Sequence, residues 1–274
     1  MDSTVAGNPL LESIVSAKVR EVERRKIDRP ISDLEREIPR MSSPFPLERE
    51  WRKTRGTGVK VIAELKKKSP SRGILRDPYE PDAIGMSYVR AGANGISILT
   101  DFPFFGGHLE HLSALRNALG TECGIPLLRK DFLIDPYQVW ESRRAGADIV
   151  LLIVRILDDP RLKEMIALAG SLGLSALVEV HSERELERAL SVGATLVGVN
   201  HRDLDSLAMD FTLSERLTPL IPDAVLKIAE SGLKTPRDRK RMENLGYDAV
   251  LVGESFLAEP EPGRALERFL EHVD

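Results

Sequence analysis

Glu64 and Lys66 lie two residues apart in the stretch VIAELKKKSPSRG, residues 61–73, which begins like a buried strand. Side chains in a strand alternate faces, so Ile62, Glu64 and Lys66 project the same way, placing a carboxylate and an ammonium where a core would be apolar. The interruption recurs where other apolar runs end. LLRKDF offers Arg129, Lys130 and Asp131, LVEVH offers Glu179, and GVNHRDL offers Asn200, His201 and Arg202. IAESG offers Glu230 and Ser231, and LVGES offers Gly253, Glu254 and Ser255. Burying one ion costs on the order of several kcal/mol unless partners surround it. One polar cavity, in which these groups hold one another ionised, accounts for all of them at once. The chemistry such a cavity suits is general acid–base catalysis on an anionic molecule. A lysine in a dry pocket or beside other cations is expected to have a lowered pKa, which makes it a better proton donor.

The elements that must position these groups can be read from the pattern. After about residue 56, short apolar runs (VKVIAEL, GISILT, IPLLRKDF, IVLLIV, SALVEV, LVGVN, VLKIAES, AVLVGES) alternate with amphipathic helical segments such as PDAIGMSYVRAG, DPYQVWESRRAG, DPRLKEMIALAGSLG and SERELERALSVG. Asp and Ser at the fronts suit N-caps and Gly at the backs marks helix ends. Eight strands, each followed by a helix, predict an α/β fold, a (β/α)8 TIM barrel, and 274 residues match its usual size of about 250. AGANGISIL, AGADIVLLI, VGATLVGVN and LGYDAVLVG repeat a helix end, a small-residue turn and a strand at a spacing of two βα units, as a barrel of similar units would. An open doubly wound sheet is the competing architecture, but no GxGxxG follows the first strand.

The first 50 residues differ. LLESIVSAKVREVERRK reads as a charged helix outside the repeat, followed by RPISDLEREIPRMSSPFP, which ends as a Pro/Ser-rich linker. This N-terminal helical extension either plugs one end of the barrel or flanks the substrate pocket, and the two roles are compatible. One domain over residues 1–274 is expected. The chain ends soon after the last helical pattern, so no second catalytic domain is expected.

In barrels the active site lies at the C-terminal ends of the strands, and the turns after the last two strands often bind phosphate through backbone N–H groups. ESG and VGES occupy those places, and SPSRG after the first strand adds Ser69, Ser71 and Arg72. The net charge of −4 with interspersed signs gives no nucleic-acid footprint. A single cysteine, Cys123 in TECGIP, suits a reducing compartment and reads as a stray thiol in a loop. No run approaches the roughly 20 apolar residues of a membrane span, and the N-terminus has no basic start before an apolar block, so a cytoplasmic protein is expected. His108 and His111 in HLEH read as a solvated first helical turn, since no third ligand is near. His181 and His201 sit beside charged strand ends without a nucleophile to serve. No metal, no cofactor and no catalytic triad are expected.

Taken together, IAELKKKSPSRG, ISILTDFPFFGG, LLRKDFLIDPYQ, VLLIVRIL, LVEVH, GVNHRDL, IAESG and LVGES occur in the order found in indole-3-glycerol phosphate synthases, and the chain resembles that family over nearly its full length. The resemblance implies conversion of 1-(2-carboxyphenylamino)-1-deoxyribulose 5-phosphate to indole-3-glycerol phosphate with loss of CO2 and water, a carboxy-lyase step of tryptophan biosynthesis. The benzoate and phosphate of that substrate explain a need for cations and N–H donors. By resemblance, Lys130 protonates the ketone oxygen as the ring closes, and Glu179 stabilises or deprotonates the anilinium-like nitrogen or serves as base in the dehydration. Lys66 holds the carboxylate and can expel hydroxide; Glu64 and Asn200 orient hydroxyls and lysines; Glu230 and Ser231 complete the polar ring. Phosphate would rest against Ser69, Arg202, Gly232, Gly253, Glu254 and Ser255, and the aromatic ring in a slot of Phe105, Phe132, Leu151 and Leu204.

His201 stands where many members carry Asn or Ser, and its parity turns it away from the cavity. The partner expected is a small phosphorylated molecule, with no nucleic acid or membrane, and the chain a monomer or weak homodimer. Two rivals remain at this stage: a phosphoribosylanthranilate isomerase, which would need a cysteine or aspartate pair on early strands, and a non-catalytic barrel that binds phosphosugars.

Overall fold

The computed structural model describes residues 9–120, 123–204 and 206–272. The residues before Pro9, which carry the start of the stretch examined for a leader, lie outside that range. Eight parallel strands close into a barrel: β1 (Lys60–Leu65), β2 (Gly95–Leu99), β3 (Leu127–Lys130), β4 (Ile149–Ile153), β5 (Ser175–Val180), β6 (Leu196–Asn200), β7 (Leu226–Glu230) and β8 (Ala249–Val252), each paired with its neighbours in sequence and β8 with β1. All eight apolar runs are strands. Their alternation divides the core in two. Ile62, Leu128, Leu151, Leu177, Leu196, Ile228 and Leu251 fill the barrel interior. Val61, Ile96, Ile98, Val150, Val178, Val197, Ala229 and Val250 face the helical ring.

The helices begin and end where their sequences predict. The helix Pro136–Ala145 opens on a capping box of Asp135 and Gln138 and closes on Gly146 at φ 91°. The helix Glu183–Ser191 is capped by Ser182 and the helix Asp159–Ser171 by Asp158, one residue ahead of the Asp expected at its front. Each cap satisfies an otherwise orphaned N–H. Three of the four repeats share a side-chain contact at the bottom of the barrel. Asn94, Asp148 and Asp248, each just before an even-numbered strand, accept a hydrogen bond from the backbone N–H of Val61, Leu127 and Lys227 at the foot of the preceding odd strand, at 2.9, 2.8 and 2.8 Å.

The N-terminal extension performs both roles considered for it, with different segments. Helix α1 (Pro9–Asp28) lies at the C-terminal ends of the strands. Its Lys18, 1% exposed, reaches Asp131 at 2.8 Å and Asp101 at 3.1 Å, just past β3 and β2. Helix α2 (Ile31–Glu37) packs on the helix after β3. Helix α3 (Leu47–Lys53), just past the Pro/Ser-rich linker, plugs the other end. Its buried Leu47 and Trp51 join the barrel interior, and Arg55 grips Asp248 with two hydrogen bonds of 2.8 and 2.9 Å. No described helix is long and apolar enough to cross a membrane.

Candidate active site

The last inward-facing residues of β1, β3, β5, β6 and β7 are Glu64, Lys130, Glu179, Asn200 and Glu230, and all five line one cleft of about 350 Å³ at the C-terminal end of the barrel. Lys130 Nζ stands between two carboxylates, 2.7 Å from Glu179 Oε2 and 3.0 Å from Glu230 Oε2. The first is an aligned hydrogen bond. The second is an ion contact off the hydrogen-bond line. Lys66, just past the end of β1, donates to Glu64 Oε1 at 2.6 Å. The carboxylate and ammonium that interrupt the first strand are therefore partners.

The electrostatics correct one expectation. Burial opposes the charge of Lys130, but Glu179, Glu230 and Glu64 outweigh it and hold the ammonium above its ordinary range instead of lowering it. The two carboxylates facing it are unequal. Burial and the charge of Glu179 push Glu230 up to about 7 against the pull of Lys130. Glu179 is also buried, yet Lys130 and His181 hold it below the usual carboxylate range.

The other charged strand-end residues part ways according to the face they leave by. Arg129, between two inward residues, points outward and is fully buried against Glu141, Ser142, the Gln138 carbonyl and Asp131. Asp131 reaches the rim of the cleft but is paired with Arg129 and Lys18. His201 turns away from the cavity as its parity requires, with one ring nitrogen 3.0 Å from the Ser231 carbonyl and the other 2.6 Å from Ser214 Oγ. The HLEH pair is half as expected: His108 is exposed, whereas His111 is partly buried and stacks edge-on against Tyr79 with centroids 5.6 Å apart.

At the far side of the cleft Ser231, Gly232, Gly253, Glu254 and Ser255 form two adjoining turns. Ser231 adopts φ 70°, a left-handed conformation rare for a residue with a side chain, and it aims the turn at the cavity. Gly253 is required for a different reason: a Cβ there would come within 2.6 Å of Glu64 Oε1. Asn200 Oδ1 accepts the Arg202 N–H at 3.0 Å, fixing the turn that presents Arg202. The Arg202 guanidinium lies 3.5 Å from Glu254, which also binds Arg72 of the β1 loop at 3.0 Å.

Phe105 and Phe132, with ring centroids 6.0 Å apart, form an apolar wall with Leu151 and Leu204. Ser69 stands apart from the main cleft. It lines a smaller adjoining cavity of about 100 Å³ with Ser71 and with Leu10, Leu11 and Ile14 of α1. The cleft also takes Leu99, Ile153, Met209, Phe211, Lys234 and Leu251, which the motifs do not single out. Inward parity could have found Leu99, Ile153 and Leu251; Lys234 is three residues beyond Ser231 in the same turn. Met209 and Phe211 come from a loop with no strand period to read. Among the described residues no three His, Cys, Asp or Glu side chains gather as a metal site.

A (β/α)8 barrel with paired ammonium and carboxylate groups beside a Gly/Ser turn is an enzyme scaffold fitted for acid–base chemistry on a small anion. The sequence narrows that class. The family model described as indole-3-glycerol phosphate synthase matches residues 11–269. An indole-3-glycerol phosphate synthase from Dehalococcoides mccartyi is 44% identical over 261 residues, covering 95% of this chain and 100% of that one. One from Campylobacter jejuni is 41% identical over 268 residues, with 95% and 100% covered. Among solved structures, KGPDC from Streptococcus mutans superposes with a TM-score of 0.59 at 14% identity over 77% of this chain and 95% of that one, a likeness of fold. The chain belongs to the indole-3-glycerol phosphate synthase family.

Proposed function

We propose that the cleft is where this chain carries out the family's reaction, with Lys130 as the proton donor at ring closure. The activity is synthesis of indole-3-glycerol phosphate, a carboxy-lyase step of tryptophan biosynthesis. The aromatic carbon bearing the carboxylate attacks the ketone carbon of 1-(2-carboxyphenylamino)-1-deoxyribulose 5-phosphate, and the ketone oxygen takes a proton from Lys130. Departure of CO2 returns the bonding electrons to the ring. Loss of the new hydroxyl as water, together with a ring proton, completes the indole.

The observation that carries these roles is the position of Lys130 between Glu179 and Glu230. A lysine whose proton is held by two carboxylates is replenished as it donates. Glu230, near 7, can give or accept a proton at neutral pH, and Glu179 remains an anion facing developing positive charge at nitrogen. Lys66, steered by Glu64, would hold the substrate carboxylate and help hydroxide depart. Phosphate would bind at the Ser231–Gly232 and Gly253–Ser255 turns with Arg202, and the aromatic ring against Phe105, Phe132, Leu151 and Leu204. Ser69, in the adjoining cavity, accepts the Arg72 backbone N–H at 3.2 Å and would shape the β1 loop that carries Arg72 toward the phosphate.

The packing of α1 and α3 on opposite ends supports one domain over 1–274, with 1–50 as its extension. We take it to act in the cytoplasm, as a monomer or weak homodimer, on this small phosphorylated molecule without metal or cofactor. Lys130→Ala should lower turnover of the ribulose derivative, followed by indole fluorescence, by at least about 10²-fold, the usual worth of such a group. An unchanged rate would discredit the assignment.

A further inference from the structure

Glu179 is held from behind as well as from the cavity. Its Oε1 faces His181 Nε2 at 3.3 Å, an ion contact and not an aligned hydrogen bond. The other ring nitrogen, Nδ1, lies 3.1 Å from Glu185 Oε2, on the helix after β5. The same oxygen accepts the His181 backbone N–H at 2.7 Å, and Glu185 Oε1 accepts from Arg155 Nε at 2.8 Å. Arg155 extends the row to Asp203 at 3.2 Å. The His181 side chain is 1% exposed and does not line the cleft.

An imidazole between two carboxylates has no acceptor role to play. A neutral ring would turn a lone pair toward one of the anions, so the arrangement is that of an imidazolium facing an anion on each side, hydrogen-bonded to Glu185 and in ion contact with Glu179. We propose that His181 is a positioning residue for the reaction: its imidazolium, anchored by Glu185, fixes Glu179 as an ionised carboxylate aimed at Lys130. The inference rests on the roles given above to Lys130 and Glu179.

Two further observations agree with it. Burial opposes the charge of His181, but its contacts with Glu179 and Glu185 push its pKa up to about 9. Glu230, the other carboxylate on Lys130, has no such cation behind it among the described residues and lies against Gly198. The ring adds to the inequality of the two carboxylates, after the aligned hydrogen bond and charge of Lys130 on Glu179. The groups facing it are Glu179 from β5 and Glu185 from the following helix, with Lys130 beyond the first and Arg155 and Asp203 beyond the second.

The test joins kinetics with histidine NMR of the intact protein. His181→Gln should lower kcat by at least about 10-fold with KM changed far less, and should abolish the alkaline fall of kcat/KM expected near pH 9. Glu185→Gln, which spares the ring, should move that fall to lower pH. It should move the midpoint of the His181 ring resonance with it, and this variant serves if His181→Gln does not fold. Wild-type kcat in His181→Gln, a lowered kcat with an unmoved pH profile, or a wild-type ring midpoint below about 7 would each overturn the proposal. If Lys130→Ala loses turnover while His181→Gln does not, the site stands and only the His181 role falls. If Lys130→Ala retains turnover, the site reading falls, and the ring midpoint still decides the charge of His181.

Discussion

Glu230 leans over Gly198 on the neighbouring strand, so closely that a methyl group at position 198 would overlap Glu230 Oε1. The glycine leaves the room in which this carboxylate reaches Lys130. Gly198→Ala should therefore act as a catalytic lesion that displaces Glu230 without replacing any titratable group. Its expected outcome is a kcat loss of at least about 10-fold with near-normal KM, since a small misplacement of a reacting group suffices for that. Steady-state kinetics checks this, with circular dichroism to establish folding; a wild-type kcat would contradict it.

The raised pKa of Glu230 also makes a stability prediction. The folded state holds this proton up to about 7, above the ordinary glutamate value of about 4.5 that applies in the unfolded chain. The stabilising contribution is thus complete below about 4.5 and fades as pH rises through about 7. Glu230→Gln should lack that loss, so between about pH 5 and pH 8 it should gain on the wild type by up to about 3 kcal/mol. Urea midpoints at the two pH values measure it. Parallel pH dependence in the two proteins would count against the raised value.

Arg202 contacts Glu254 at the rim and is set by Asn200, away from the Lys130 pair. Arg202→Ala should raise KM for the phosphorylated substrate by at least about 10-fold and leave kcat within a few fold, as loss of a charge-assisted contact implies. Intact binding with abolished chemistry would refute the phosphate role.

Lys18 joins the N-terminal helix to the rim through two carboxylates, Asp131 at 2.8 Å and Asp101 at 3.1 Å, and also pairs with Glu21 of its own helix at 2.9 Å. Lys18→Met leaves Asp101 buried without its cation, a lesion of about 3–5 kcal/mol. Because Leu11 and Ile14 of the same helix line the smaller cavity, KM should rise as well. Denaturant unfolding and kinetics at low temperature separate the two effects. Unchanged stability would show that the helix is held by its apolar face alone.

The barrel and most of the site were legible because period-2 alternation carries both. Glu64, Lys130, Glu179 and Glu230 follow inward-facing apolar residues two positions earlier, and Asn200 follows Leu196 by four, so parity alone sends them into one cavity. Parity also sends His201 away. It was not applied to Arg129, whose outward direction makes it the anchor of a helix and not a cavity group. The pKa of Lys130 was misjudged because sequence order does not tell which charges become neighbours; two carboxylates from strands 49 and 100 residues away decide it. Likewise, Met209 and Phe211 in an irregular loop, and the 7-residue plug Leu47–Lys53 just past a Pro/Ser-rich stretch, have no period strong enough to announce them.

The side-chain latches at the foot of the barrel have a consequence for how the chain assembles. Asn94, Asp148 and Asp248 clasp backbone groups only 33, 21 and 21 residues earlier, and each clasp joins an odd strand to the next. Short loops are cheap to close and can form early. Three of the four quarters of the barrel are thereby tied in register by contacts local in sequence, whereas the β8–β1 seam joins the segments most distant along the chain.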